Sequence, residues 1–200
     1  MQPTQQDLEA GVKAVEYELS ALISAMRANH LALRQLKAAT SNSAQQIWQT
    51  FDNCTQEAFL IHYRNLKQFL NNQKGGNDVK AKHYADNWSG SANVVGESSE
   101  DTRLNRLLAH ISYDRAKLTR DWNYPNLEQL VCNAFDNFVN RVRPQHKPLF
   151  DGCRQALLSR KAGAPLGPVS NGTATVTVFS VAGFDSCFTH EMGPRPERQV

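Results

Sequence analysis

The sequence lacks the features that mark membrane, secreted and metal-binding proteins. No apolar run approaches the roughly 18 residues that a membrane-spanning helix needs. The N-terminal residues have neither the basic nor the apolar region of a signal peptide. The 4 cysteines form no C-x-x-C pair, and two of them lie in predicted helices with mostly apolar neighbours, which favours reduced, buried thiols over disulfides or zinc ligands. These absences predict a cytoplasmic protein that does not contact membranes.

Motifs for metals, nucleotides and covalent catalysis are also absent. The 6 histidines are widely separated, and no H-x-x-x-H or H-E-x-x-H pair occurs. There is no P-loop, no G-x-S-x-G and no G-x-G-x-x-G. We therefore predict no metal and no cofactor. A net charge of +3 without a run of lysine or arginine neither favours nor excludes nucleic-acid binding.

Two long helices are predicted in the first 70 residues. Apolar side chains recur at helical spacing in the segment 7–36, where they form one stripe of Val12, Val15, Leu19, Leu22, Ile23 and Met26. The segment 45–70 repeats the pattern, with Trp48, Phe59, Tyr63, Leu66 and Leu70 on its core-facing side. Ser43 is the predicted N-cap of this second helix. Asn71 and Asn72, followed by two glycines, indicate its end.

The rest of the chain predicts shorter helices and a tail. Helical patterns occur at residues 79–88, 100–118, 126–142 and 148–160, with Asn126 as a predicted cap and a flexible connection at 89–99. After residue 160, glycines and prolines indicate a mostly disordered tail that contains one short strand-like segment. We therefore predict an all-α fold: an antiparallel bundle of about four main helices in residues 1–160, with a weakly ordered tail at 161–200.

One polar line on the predicted helix 100–118 carries residues suited to phosphate chemistry. Arg103, Arg106, His110, Asp114 and Lys117 follow one another at steps of three or four residues. Arginine would stabilise the charge on a phosphate while histidine acts as general acid or base. RNA is cleaved in this way without a metal when its 2′-hydroxyl attacks the adjacent phosphate. The alternative is an ordinary solvated helix face.

Two motifs resemble a known group of proteins. The run from Glu57 to Leu66 contains H-x-R-N-L, and the run from Arg103 to Arg115 contains R-x-N-R-x-x-A-H-x-S-Y-x-R, with Trp122 following. Together they resemble a group of uncharacterised bacterial proteins, and the predicted order of helices resembles the HEPN superfamily. Members of that superfamily are helical bundles, often dimeric. Many are metal-independent ribonucleases of toxin–antitoxin and phage-defence systems.

The resemblance implies a function and a set of site residues. It implies binding or cleavage of RNA, with an antitoxin or another protein as a further partner and a homodimer as one expected assembly. The implied catalytic residues are His110, Arg103 and Arg106. The residues implied to bind the substrate or orient the site are His62, Arg64, Asn65, Asn105 and Arg115.

A second interpretation gives the same side chains a packing role. His62 and Asn65 would hydrogen-bond to Arg103, Arg106 or His110, and Arg64 would pair with an acidic residue of a neighbouring helix. Such buried polar networks fix how helices pack without performing chemistry. The protein would then be a non-catalytic scaffold or partner-binding protein. A nuclease requires these groups to meet in an open cleft. In a scaffold they would pair with one another inside the protein.

Overall fold

The first helix begins at a well-formed cap. The computed structural model describes residues 3–73, 78–90 and 122–161. Helix α1 spans Gln5–Ala38, and its N-cap is Thr4. The Thr4 hydroxyl accepts a hydrogen bond from the Asp7 N–H, while the Asp7 carboxylate accepts from the Thr4 N–H at 2.9 Å. This capping box satisfies two backbone donors that the first turn would otherwise leave unpaired.

The second helix pairs with the first as an antiparallel hairpin. Helix α2 spans Asn42–Leu70, and only residues 39–41 connect it to α1. The predicted cap at Ser43 is wrong, because Ser41 accepts the hydrogen bond from the Ala44 N–H and the helix begins earlier. The predicted core stripe of α2 is confirmed at Phe59, Tyr63, Leu66 and Leu70, whereas Trp48 is only half-buried.

A short irregular segment crosses the open end of the hairpin. The predicted helix 79–88 is reduced to one 3-10 turn, Ala81–His83, but Tyr84 and Trp88 are buried as expected. The Trp88 indole N–H donates to the Leu70 carbonyl at 2.7 Å, at the end of α2. The Tyr84 hydroxyl donates to the Leu8 carbonyl of α1 at 2.9 Å. These two hydrogen bonds attach the segment to both α1 and α2, and only three of its residues form a helical turn.

Two shorter helices complete the described part of the bundle. Helix α3 spans Tyr124–Arg141, a 3-10 helix spans Pro144–Phe150, and helix α4 spans Asp151–Lys161. The predicted cap at Asn126 is wrong: its N–H donates to the Asn123 side chain at 3.2 Å, so Asn123 is the cap. Pro125 fits the first turn of α3 because no intrahelical bond needs its missing N–H.

Aromatic side chains from several elements form the centre of the core. Phe138 of α3 meets the rings of Phe69, Trp88 and Phe150 edge-on, at 5.2–5.4 Å between ring centroids. Such edge-to-face contacts add stability beyond the area that they bury. The predicted apolar stripe of α1 is confirmed as buried at all six positions.

The prediction of an all-α bundle is confirmed, since every element in residues 3–73, 78–90 and 122–161 is helical. No helix in those ranges is both long enough and apolar enough to cross a membrane. The predicted helix 100–118 and the predicted tail, apart from Lys161 at the end of α4, lie outside the described residues.

Candidate functional site

A histidine and a glutamate join the two long helices. The Nδ1 atom of His62 on α2 lies 2.7 Å from Oε2 of Glu18 on α1. Because an ionised carboxylate only accepts hydrogen bonds, Nδ1 carries the hydrogen in this pair. The two side chains retain 15% and 23% of their accessible surface. The pair is therefore mostly withdrawn from water but still reachable from the surface.

An aromatic ring from α1 also contacts this imidazole. The Tyr17 ring meets the His62 ring edge-on, with 5.7 Å between the centroids. Tyr17 itself is exposed, so it covers one side of the imidazole while facing solvent. Two consecutive residues of α1 thus hold His62, one by a hydrogen bond and the other by ring packing. This arrangement fixes the orientation of the imidazole.

A cleft of about 390 Å³ lies next to Glu18, between α1 and α2. Its polar lining consists of the carboxylates of Glu18 and Asp78 and the amides of Asn65, Gln68 and Gln73. Its apolar lining consists of Ala14, Val15, Phe69 and Val79. No lysine or arginine is among the described lining residues. The described lining of the cleft therefore combines carboxylates, neutral amides and apolar side chains.

An apolar stripe runs along the exposed side of α2. Ile47, Phe51 and Ile61 are exposed, with 66% of the surface of Ile47 accessible. Cys54 is also exposed, whereas Ala58 is half-buried and packs against the core. At 100° per residue these five positions fall within about 80° of one another. We call this set, Ile47, Phe51, Cys54, Ala58 and Ile61, the α2 stripe.

The α2 stripe leads to the cleft. Ile61 precedes His62, and Asn65 lies one turn further along the same side of α2 and lines the cleft. Tyr17 and Glu18 of α1 flank this junction. The stripe, the His62–Glu18 pair and the cleft therefore form one continuous face of the α1–α2 hairpin.

The structure places three of the residues predicted for the site. His62 and Asn65 lie on this face, as described above. Arg64 is half-buried, and its Nε atom is buried without a hydrogen-bond partner among the described residues. Arg103, Asn105, Arg106, His110 and Arg115 lie outside the described residues, so their predicted convergence with His62 stays a prediction.

Sequence reasoning missed Glu18 and Tyr17. Glu18 lies directly before Leu19 of the buried stripe, which places it at the edge of the core-facing side of α1. An acidic residue at such an edge indicates a hydrogen-bonding or basic partner on the neighbouring helix. The partner cannot be identified without knowing which residue of α2 lies opposite, and that depends on the register of the hairpin.

The cysteines and acidic residues of the described part form no metal site. No group of three or more histidine, cysteine, aspartate or glutamate side chains within residues 3–73, 78–90 and 122–161 could hold a metal ion. Cys132 and Cys153 are buried free thiols, whereas Cys54 is exposed. Burial raises the pKa of the Cys132 thiol to about 12, so it is not a thiolate nucleophile.

Comparisons of this chain with protein-family models, with curated proteins and with solved structures found no match.

Proposed function

We propose that this protein is a helical scaffold that binds another protein through the exposed face of its α1–α2 hairpin. The observation that carries the proposal is the α2 stripe. Isolated exposed apolar residues are normal on protein surfaces, but a row of them at helical spacing is typical of a surface that a partner covers. Leu158 of α4 is exposed as well, but it is not part of such a row.

The geometry of the stripe suits a helical partner. Its positions repeat at alternating steps of four and three residues, which is the spacing that lets another helix pack its side chains in between. Ile47 and Ile61 are separated by 14 residues, or about 21 Å along the helix axis. A partner helix of about four turns would cover this length.

The His62–Glu18 pair supports a packing role for the H-x-R-N-L motif. The imidazole hydrogen-bonds to Glu18 within the hairpin and contacts Tyr17, which is the kind of internal pair that a packing role needs. The partners predicted for His62, namely Arg103, Arg106 and His110, lie outside the described residues. A buried or half-buried histidine needs such a partner whatever the protein does. The motif thus contributes to the register of α1 against α2 and leaves the apolar stripe beside it free to bind.

The proposal is tested by selecting amphipathic helical peptides against the purified full-length protein. Variants Ile47→Asp and Ile61→Asp place a charge on the stripe, and Leu158→Asp is the matched control at an exposed leucine elsewhere. We expect the selected peptides to lose binding to both stripe variants and to keep it with the control. Peptides that bind all three variants equally, or a failure to select any peptide, would overturn the proposal.

A second candidate function is metal-independent action on RNA, which the HEPN resemblance implies. The observation that favours it is that His62 is oriented by the carboxylate of Glu18, and Glu18 lines the cleft. A histidine held in this way is suited to general acid–base catalysis. Under this proposal His110, Arg103 and Arg106 supply the chemistry, and His62, Arg64 and Asn65 orient the site.

RNA cleavage in the presence of EDTA tests the second candidate. We expect His110→Ala and Arg103→Ala to abolish cleavage, and His62→Ala to reduce it. His30→Ala, which changes an exposed histidine of α1, is the control. Thermal denaturation of each variant separates loss of a catalytic group from loss of structure. Absence of cleavage by the wild type, or cleavage unaffected by His110→Ala, would contradict this candidate.

A further inference from the structure

The apolar row of α2 begins one position before the α2 stripe. Ala44 is half-buried and lies three residues before Ile47, on the same side of the helix. The extended row steps by three and four residues in turn and covers about 26 Å of the helix axis. Its six members are Ala44, Ile47, Phe51, Cys54, Ala58 and Ile61. This heptad spacing lets two helices pack side by side with interdigitated side chains.

The sizes of these six side chains match a reversed copy of the same row. From Ala44 to Ile61 the order is small, large, large, small, small, large. Read in the opposite direction, every large side chain meets a small one. A two-fold axis between two α2 helices makes each such contact twice. The pairs are Ala44 with Ile61, Ile47 with Ala58, and Phe51 with Cys54.

Other alignments of two such rows match less well. An antiparallel alignment shifted by one step places Phe51 opposite Ile61, which are both large. It also places Cys54 opposite Ala58, which are both small. A parallel alignment places each residue opposite its own equivalent. All of these crowd some layers and leave gaps in others, which close packing disfavours.

Charge does not oppose the pairing of two copies along this row. The only acidic or basic residues between Ala44 and Ile61 are Asp52, which is buried, and Glu57. In the matching antiparallel alignment, Glu57 lies opposite Trp48 of the second copy and not opposite Glu57. This stretch of α2 therefore brings no like charges face to face across a two-fold axis.

We infer that the partner of the α2 stripe is a second copy of this chain, whose α2 packs antiparallel with Ile47 of each copy opposite Ala58 of the other. This inference rests on the proposed function, because it names the occupant of the same surface. The resemblance implies a homodimer without naming a surface, whereas this one follows from the side chains of α2. A contact along part of one helix is smaller than a standard interface, so the dimer should dissociate at micromolar concentrations. The monomer then remains populated, and Cys54 stays accessible to reagents.

Sedimentation velocity of the full-length protein over a range of micromolar concentrations measures the association. We expect the dimer fraction to rise with concentration. Ile47→Asp and Ile61→Asp, both at exposed positions, should raise the dissociation constant about tenfold or more, because each substitution occurs twice in a two-fold interface. Leu158→Asp is the matched control and should dimerise like the wild type. A monomeric wild type, or a dimer that both stripe variants leave intact, would overturn the inference.

Disulfide cross-linking tests the antiparallel alignment. Ile47→Cys and Ala58→Cys are made as separate proteins in a background of Cys54→Ser and Cys187→Ser, in which the remaining native cysteines are buried. We expect a mixture of the two to form covalent dimers under mild oxidation. Neither protein alone should do so, because its two introduced cysteines would lie about 17 Å apart along the axis, beyond the reach of a disulfide. Covalent dimers of Ile47→Cys alone would indicate a parallel alignment and contradict the inference.

The outcomes separate this inference from the proposed function. If the full-length protein stays monomeric while selected helical peptides bind the wild type and not Ile61→Asp, the occupant is a different protein and only this inference is wrong. If the peptides also bind Ile47→Asp and Ile61→Asp as they bind the wild type, the proposed function fails as well. Circular dichroism of each variant shows whether its helices are intact.

Discussion

The amide of Asn29 on α1 donates a 2.6 Å hydrogen bond to the carboxylate of Asp52 on α2, and both side chains are buried. Gln56 donates to the other carboxylate oxygen at 2.8 Å, and the Asn29 amide also reaches the Thr55 hydroxyl at 3.3 Å. The two bonds from Asn29 form only at one register of α1 against α2. Together with the His62–Glu18 pair they fix the hairpin at two points along its length.

We predict that Asp52→Ala destabilises the protein by about 1–3 kcal/mol, because it leaves the buried Asn29 amide without its shortest hydrogen bond. Asn29→Ala should cost less, since Gln56 still donates to the Asp52 carboxylate. The double variant should lose clearly less free energy of unfolding than the sum of the losses in the two single variants. Urea denaturation measures all three, with Thr50→Ala at an exposed position of α2 as control. Additive losses would show that the two residues do not interact.

Gly11 provides a test of packing inside α1. A Cβ atom at this position would come within 2.9 Å of a Val79 methyl carbon and 2.5 Å of the Tyr84 hydroxyl. On an open helix surface, Gly→Ala would stabilise the protein by about 1 kcal/mol. Here we expect the cost of overpacking, about 1–3 kcal/mol, to exceed that gain. Gly11→Ala should therefore lower the free energy of unfolding. Ser20→Ala, at an exposed site of the same helix, should not be destabilising, and a more stable Gly11→Ala protein would contradict the described packing.

His146 is expected to make stability depend on pH. It is buried against Tyr84, and desolvation followed by the charge of Arg143 lowers its pKa below the ordinary 6.5, with Asp86 acting in the opposite direction. The unfolded chain therefore binds a proton at His146 more readily than the folded chain does. Stability that is fully present above pH 6.5 is lost as the pH falls from 6.5 towards the folded pKa.

Thermal denaturation at about pH 7.5 and about pH 5.5 tests this expectation. His146→Phe and His146→Gln should both show a smaller loss of melting temperature on acidification than the wild type. A residual loss should remain, because burial also lowers the pKa of His83. An unchanged pH dependence in both variants would show that His146 does not contribute to it.

Thiol reactivity should distinguish the α2 stripe from the core. Cys54 is exposed within the stripe, whereas burial raises the pKa of both Cys132 and Cys153 to about 12. In a Cys187→Ser background, we expect iodoacetamide to modify Cys54 in the native protein and to reach the other two only after unfolding. Peptide mass spectrometry before and after adding guanidinium measures this. Native modification of Cys132 or Cys153 at the rate of Cys54 would contradict the described core.

Sequence periodicity was sufficient to predict the long helices and their buried sides. Leu19 and Leu22 of α1 and Phe59 and Leu66 of α2 are buried because a helix that is apolar on one side must cover that side. The helix starts were harder to predict. Ser41 and Ser43 are both good caps, and the choice between them depends on which hydroxyl meets a free backbone N–H.

The site could be predicted only in part, because it depends on contacts between residues that are far apart in the sequence. His62 was identified from its motif, but its partner Glu18 is 44 residues away and becomes its neighbour only through the register of the hairpin. The exposure of Ile47 and Ile61 was likewise not predictable, because α2 carries apolar residues on more than half of its circumference. Which of them are covered depends on where α1 and α3 pack.

The brevity of the connection at residues 39–41 has a consequence for how the chain assembles. Every group that pairs α1 with α2 lies within the first 70 residues, so the hairpin can form during translation, before α3 has been synthesised. Contacts between segments close in sequence also form fastest. The hairpin formed in this way would present the surface against which Phe135, Phe138 and Phe150 later pack.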